Sequence, residues 1–272
     1  MSRVDLNVRA GDWVEVKGRA QIFETLDANG TLDGLPFMPE MLAFCGRRFQ
    51  VLRLAEKTCF EFAPNRYGVQ EFRNNDVVIL SELRCSGSDH DGCARACFLF
   101  WKTSWIQKVD PKQIPTGSHG LSGPKQRLDI LRTKTDAHRY VCQATELIRA
   151  TRPIPRLRKV LKCFSAVRSG SRSAFEMAGL MWQPIWRKAT SWFPRRVVAG
   201  PLKKTPVGDL KLQPGELVMI KSVPEIEKTL NSQGRNRGMI CDAGMCRFSG
   251  GTYKVRSRLD RMISEPTGEM LQ

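Results

Sequence analysis

No run of apolar residues in this sequence approaches the roughly 20 that a membrane-crossing helix needs. The opening MSRVDLNVRAGD lacks the apolar stretch of a secretory signal. Together these absences give a cytoplasmic expectation with no transmembrane segment. Histidine is scarce, at three residues, and there is no G-x-S-x-G elbow to partner His119 or His138, so a nucleophile triad has no support. The glycines are not spaced as a Walker or dinucleotide loop, which removes the phosphate-cradling enzymes. RNP-type aromatic pairs are also missing, so any nucleic-acid reading rests on charge alone. No catalytic motif stands behind enzymatic activity, and the reading leans away from an enzyme.

Cysteine, by contrast, is plentiful. Nine are present, an odd number that cannot all pair within one chain, and in a reducing compartment they read as free thiols or metal ligands. An apolar fraction of 41% with six tryptophans can fill real cores, and 272 residues suffice for two small domains and a connector. The net charge of +17 is unevenly spread. Residues 1–110 carry 14 Lys+Arg against 15 Asp+Glu, residues 111–210 carry 20 against 5, and residues 211–272 carry 10 against 7.

The chain contains one stretch twice. Residues 11–51 align with residues 215–255 at a constant offset of 204, and 12 of 41 positions are identical. Gly11/Gly215, Gly30/Gly234, Gly34/Gly238 and Gly46/Gly250 are shared, as are Val14/Val218, Ile22/Ile226, Leu26/Leu230, Met41/Met245 and Phe44/Phe248. Glycines and apolar residues dominate the shared set, so the copies share a shape and not an active site. Residue 272 corresponds to residue 68 of the first copy, which leads us to expect an incomplete second module with an open sheet edge, covered by the middle helices or by a partner.

Alternation predicts a strand at Val14–Val16, and apolar spacing predicts a helix from Arg19 to Leu26 that stops at Gly30. Further strands are expected over 48–54, over 76–83 and around 98–101, making 1–110 a compact, mostly β module. A Pro/Gly/Ser stretch follows as a linker, and Leu128, Leu131, Val141, Ala144 and Leu147 predict helix across 125–150. After Pro153 and Pro155, Leu157, Val160, Leu161, Phe164 and Val167 make the apolar stripe of a basic amphipathic helix whose other face holds Arg156, Arg158, Lys159 and Lys162. That segment suits a connector packed on the modules, phosphate binding to nucleic acid, or an anionic membrane surface with Trp182 and Trp186 at the interface. The fold expectation is α+β: two small barrel modules, 1–110 and 211–272, joined by a basic helical connector, 111–210.

The strongest chemical signal is Cys85-Ser-Gly-Ser-Asp-His90-Asp-Gly-Cys93-Ala-Arg-Ala-Cys97. Three thiols and an imidazole in one turn-rich loop form a Cys3His set that zinc accepts in a closed tetrahedron, with Cys59 as a replacement ligand. Free loop thiols and a redox or catalytic role are the competing readings. Cys45, Cys241 and Cys246 are not matched across the repeat and read as core filling, as do Cys142 and Cys163 on the apolar faces of expected helices.

The strings LDGLPFMPEMLAFCGRRFQV, RCSGSDHDGCARACFLFWKTSWIQKV and YVCQATELIRAT resemble a bacterial tandem-module group for which no activity is established. The early G-D-x-V-x-V strand is similar to SH3-like barrels at the level of fold. The resemblance implies two copies of a small β-rich module and carries no catalytic residues with it. Two functions are therefore expected: a non-enzymatic interaction or scaffold protein with a structural zinc, binding a protein partner or itself through the second module; or an accessory enzyme or maturation factor using the Cys/His cluster.

Overall fold

The pattern of Trp13–Val16 (β1) sends Val14 and Val16 to one face, where both are fully buried. Glu15 is buried too, on the other face. It tolerates this because its carboxylate accepts from Arg48 Nε at 3.0 Å and Gln107 Nε2 at 3.1 Å, residues that face it on the two adjacent strands. The computed structural model describes residues 8–63, 66–110, 128–154, 198–208, 210–241 and 243–272.

After β1 come α1 (Arg19–Phe23), a hairpin of β2 (Thr31–Leu32) and β3 (Leu35–Pro36), and a 3-10 turn over Pro39–Phe44. Next are β4 (Arg48–Leu54), β5 (Thr58–Ala63), β6 (Arg66–Phe72), β7 (Val77–Arg84), β8 (Phe98–Lys102) and β9 (Ile106–Lys108). An antiparallel five-stranded sheet runs in the order β8-β7-β4-β1-β9. Residues 128–154 add a 3-10 turn at Leu128–Ile130, α2 (Leu147–Ala150) and β10 (Thr151–Pro153), which pairs with β6 in a second sheet, β10-β6-β5. The described chain is thus β-rich with few, short helices. None of them is long and apolar enough to cross a membrane.

The main core gathers Phe37, Met41, Leu80, Leu99, Trp101 and Trp105 with Ile130, Cys142 and Leu147 from the later segment. Phe37 meets Trp105 edge-on at 5.2 Å, and the Trp105 indole donates to Thr25 Oγ1 at 2.9 Å. Beneath the sheet the Lys102 side chain is wholly buried and donates to Asp33 (2.8 Å) and Asp76 (2.9 Å), tying the β2–β3 hairpin to β7 and β8.

Residues 128–150, the described part of the helix expected across 125–150, do not form one helix. Asp136 Oδ1 accepts from the backbone N–H groups of His138 and Arg139, Lys134 bridges to Tyr140, and only Leu147–Ala150 is α-helical. The local Asx turn satisfies the backbone that a helix would have used. Cys142 is buried as expected, though at the start of a turn and not on a helix. Arg156, Arg158, Lys159, Lys162, Cys163, Trp182 and Trp186 lie outside the described residues.

The second copy contains β11 (Leu217–Met219), α3 (Val223–Glu227), β12 (Arg235–Asn236), β13 (Met239–Ile240), α4 (Ala243–Cys246) and β14 (Thr252–Lys254), followed by β15 (Met262–Ile263) and β16 (Met270–Leu271). Its pairing repeats the first copy at the 204-residue offset: Trp13↔Gln50 becomes Leu217↔Lys254, and Val14↔Phe49 becomes Val218↔Tyr253. The hydrogen bonds Gly11 N to Val51 O and Gly46 N to Val16 O recur as Gly215 N to Val255 O and Gly250 N to Ile220 O. The four shared glycine pairs all take positive φ, for example 70° at Gly30 and 71° at Gly234, which is why glycine is what the copies retain. Among the described residues β11 pairs with β14 alone.

The described residues fall into two compact units, one holding those up to 154 together with Asp260–Gln272, the other those from 198 to Leu259. The terminal strands β15 and β16 therefore belong with the first unit, where Ala94 N donates to Arg261 O and Tyr140 N to Gly268 O, each at 2.8 Å.

Candidate metal centre

Loop 85–97 leaves β7 and returns to β8, and its base is closed by Cys85 N donating to Cys97 O at 2.8 Å. Inside, Gly87 takes φ 74° and its carbonyl accepts from His90 N and Gly92 N. A Cβ at Gly87 would lie 2.0 Å from the Cys93 carbonyl oxygen, so only glycine lets the loop curl this tightly. The curl turns His90 inward, leaving it 1% exposed.

The His90 ring is held by Val141, whose carbonyl oxygen lies 2.9 Å from Nε2. A carbonyl can only accept, so Nε2 carries a proton, and Nδ1 is the ring atom left for another partner. Nδ1 is buried with no hydrogen-bond partner. The carbonyl is positioned in turn by Gln143, two residues on. Its amide nitrogen donates to Pro36 O (3.0 Å) and Phe100 O (2.8 Å), and its amide oxygen accepts from Phe100 N at 2.8 Å.

Facing His90 is the 3-10 turn that carries Glu40. Oε2 of Glu40 accepts from Ser86 N at 2.7 Å and Ser86 Oγ at 2.8 Å, while Oε1 is buried without a partner. Ligand atoms of Glu40, Cys85 and His90 all lie within 4.8 Å of one another. Burial pushes the Cys85 thiol well above its ordinary range, and the hydrogen bond and charge of Glu40 push it further. The chain matches no family model, no curated protein and no solved structure.

Of the four expected loop ligands, Cys85 and His90 stand in this cluster, with Glu40 beside them. Cys93 is buried against Tyr140 and Ile263, and with Cys97 it lines an adjacent cavity of about 450 Å³. Burial raises the Cys97 thiol to about 11 despite the nearby Arg95 charge. Cys59 is exposed at the same cavity, and burial and Glu265 raise its thiol. The last strands close over this region: Arg95 pairs with Glu265, whose other oxygen accepts from Glu61 N at 2.6 Å.

With Nδ1 of His90 buried and unpartnered and the Cys85 thiol hydrogen-bonded to Glu40, the three side chains could hold a cation in place of the thiol proton. A nitrogen, a sulfur and a carboxylate oxygen form a donor set suited to zinc and ill suited to calcium or magnesium, which favour all-oxygen shells. Glu40, Cys85 and His90 would be the residues to hold such an ion, and the Val141–His90 contact would then serve as the outer hydrogen bond that orients the imidazole. Glu40 and Gln143 escape a search for Cys/His spacing. Glu40's signal is a lone acid inside FMPEMLAF, whereas nothing local marks Gln143.

Proposed function

We propose that the protein binds one zinc-type ion through Glu40, Cys85 and His90, and that the centre serves a small molecule in the adjoining cavity, as in an accessory enzyme or maturation factor. The carrying observation is that a ring nitrogen of His90, the Cys85 sulfur and a Glu40 carboxylate oxygen lie within 4.8 Å of one another, with Nδ1 of His90 buried and unpartnered and Nε2 engaged by Val141. An ion there would hold three side chains and keep one position for exchange. Cys85 would lose its proton on binding, so affinity falls as the pH is lowered. Metal analysis of the intact protein, purified under reducing conditions and reconstituted with zinc, is expected to give about one equivalent. His90→Ala and Cys85→Ser are each expected to bring that below about a tenth, with an unchanged far-UV spectrum. A zinc-free wild type, or a His90→Ala protein that still holds a full equivalent, overturns the reading.

A second reading, an interaction or scaffold protein built on small-barrel, SH3-like modules, is favoured by the exposed Met239, Ile240, Met245, Phe248 and Tyr253 of the second copy. Its test is the solution mass of the intact chain, which self-association through those residues raises above 30.8 kDa.

A further inference from the structure

The cavity beside Cys85 and His90 has a volume of about 450 Å³, within the range of small-molecule sites. Much of its wall is apolar, from Leu54, Ile79, Leu99 and Leu147. Its charges are not balanced: Arg53, Lys57, Arg84 and Arg95 line it against Glu56 and Glu265. Arg95 is committed to Glu265. Arg53 and Arg84, from neighbouring strands β4 and β7, both lie over the Phe98 ring, with their guanidinium carbons 5.8 Å and 3.7 Å from its centroid. Arg84 Nη1 donates to Ala96 O at 3.0 Å, and neither guanidinium forms an ion pair with a carboxylate among the described residues.

We propose that this cavity binds a small organic anion, a carboxylate or phosphate head on an apolar body, with Arg53 and Arg84 gripping the head. Two like charges gathered at one ring, with no carboxylate paired to either among the described residues, favour an anion beside them. Contact with the ring holds both guanidinium groups at the cavity wall, and although Arg84 spends Nη1 on Ala96 O, a guanidinium carries five N–H donors with which arginine takes carboxylate and phosphate oxygens. The apolar wall supplies a place for the body of the ligand and excludes a bare inorganic ion as the best fit. The inference rests on the metal reading for the placement of the ligand beside Glu40, Cys85 and His90, but not for the arginine clamp.

The test is calorimetric titration of the intact protein, zinc-loaded and chelator-treated, with four ligands sharing one tail: decanoate, decyl phosphate, decanol and decyltrimethylammonium. Decanoate or decyl phosphate is expected to bind at least about tenfold more tightly than decanol, with decyltrimethylammonium weakest. Which of the two anions is preferred identifies the head group. Arg53→Gln, at an exposed position, should lose part of that preference, and Arg53→Gln/Arg84→Gln should lose about 10- to 100-fold, with zinc content unchanged and the far-UV spectrum still that of the folded protein. Equal affinity for the anions, the alcohol and the cation overturns the proposal, as does an undiminished anion preference in the double variant. Arginine-dependent anion binding by a protein that takes up no zinc supports the clamp while removing the metal reading. Full zinc uptake without anion preference does the reverse.

Discussion

Met41 and Met245 occupy equivalent positions of the duplicated stretch, yet the first is completely buried and the second is 47% exposed. Leu35 and Met239 differ in the same direction, from 0% to 71%. The backbones agree strand by strand, glycine by glycine and hydrogen bond by hydrogen bond. What differs is the cover. In the first copy the apolar side chains pack against Trp101, Trp105 and the residues of β7 and β8, along with Ile130 and Leu147. Thus backbone geometry in this module is encoded locally by glycines and short pairings, whereas burial is conferred by later segments.

That separation is testable by making the same substitution twice. Met41→Asp places a charge in a closed apolar site and should cost at least about 4 kcal/mol. Met245→Asp, on an exposed face, should change local stability by no more than about 0.5 kcal/mol. Hydrogen exchange of β4 and β14 amides, read by mass spectrometry on the intact chain, reports each copy separately. Similar losses in both would mean that the Met245 face is covered in solution.

A gentler pair divides backbone strain from packing. Gly34 and Gly238 adopt φ values of 79° and 85°, but a Cβ at Gly34 would lie 2.8 Å from the Arg149 carbonyl oxygen, while one at Gly238 meets nothing within 4 Å. Gly238→Ala should cost about 1 to 2 kcal/mol from left-handed strain alone. Gly34→Ala should cost about 2 kcal/mol more, because α2 has to move. Equal costs in the same exchange experiment would show that the α2 contact contributes nothing.

These contrasts also show what could be read in advance. The strands at 14–16, 48–54 and 76–83 follow from alternation and β-branching, and the repeat follows from its glycines, because such features are encoded by neighbours in sequence. The helix expected across 125–150 is misread because Leu131, Ala144 and Leu147 reach one core through turns and not along a single helical face, while Leu128 stays exposed. The candidate metal-binding cluster is legible in two of its members, Cys85 and His90 of the loop. Its completion is not, since Glu40 comes from a 3-10 turn 45 residues earlier and Val141 acts through a main-chain oxygen that no side-chain pattern can signal. Burial of Lys102 is equally hidden, because it depends on Asp33 and Asp76 arriving from two other elements.

Asp33 supplies the smallest contrast. Its counterpart in the second copy is Arg237, which has the same left-handed backbone, φ 47° against 53°, and the opposite charge. Burial alone would raise the Asp33 pKa; the hydrogen bond and charge of Lys102, the Asn74 amide and the Arg73 charge outweigh it and hold the carboxyl below its ordinary 3.8. A depressed carboxyl contributes stability that is fully present above the unfolded value and is lost as the pH falls through the folded one. Wild type should therefore exceed Asp33→Asn by about 1 kcal/mol at pH 6, the scale of a partly exposed ion pair, and the gap should close as the pH drops below 3.8. Urea unfolding midpoints for the two proteins at a series of pH values measure it. A gap that stays constant down to pH values where Asp33 is protonated would mean that the hairpin is held by hydrogen bonding that asparagine can replace only in part, and not by the charge of Lys102.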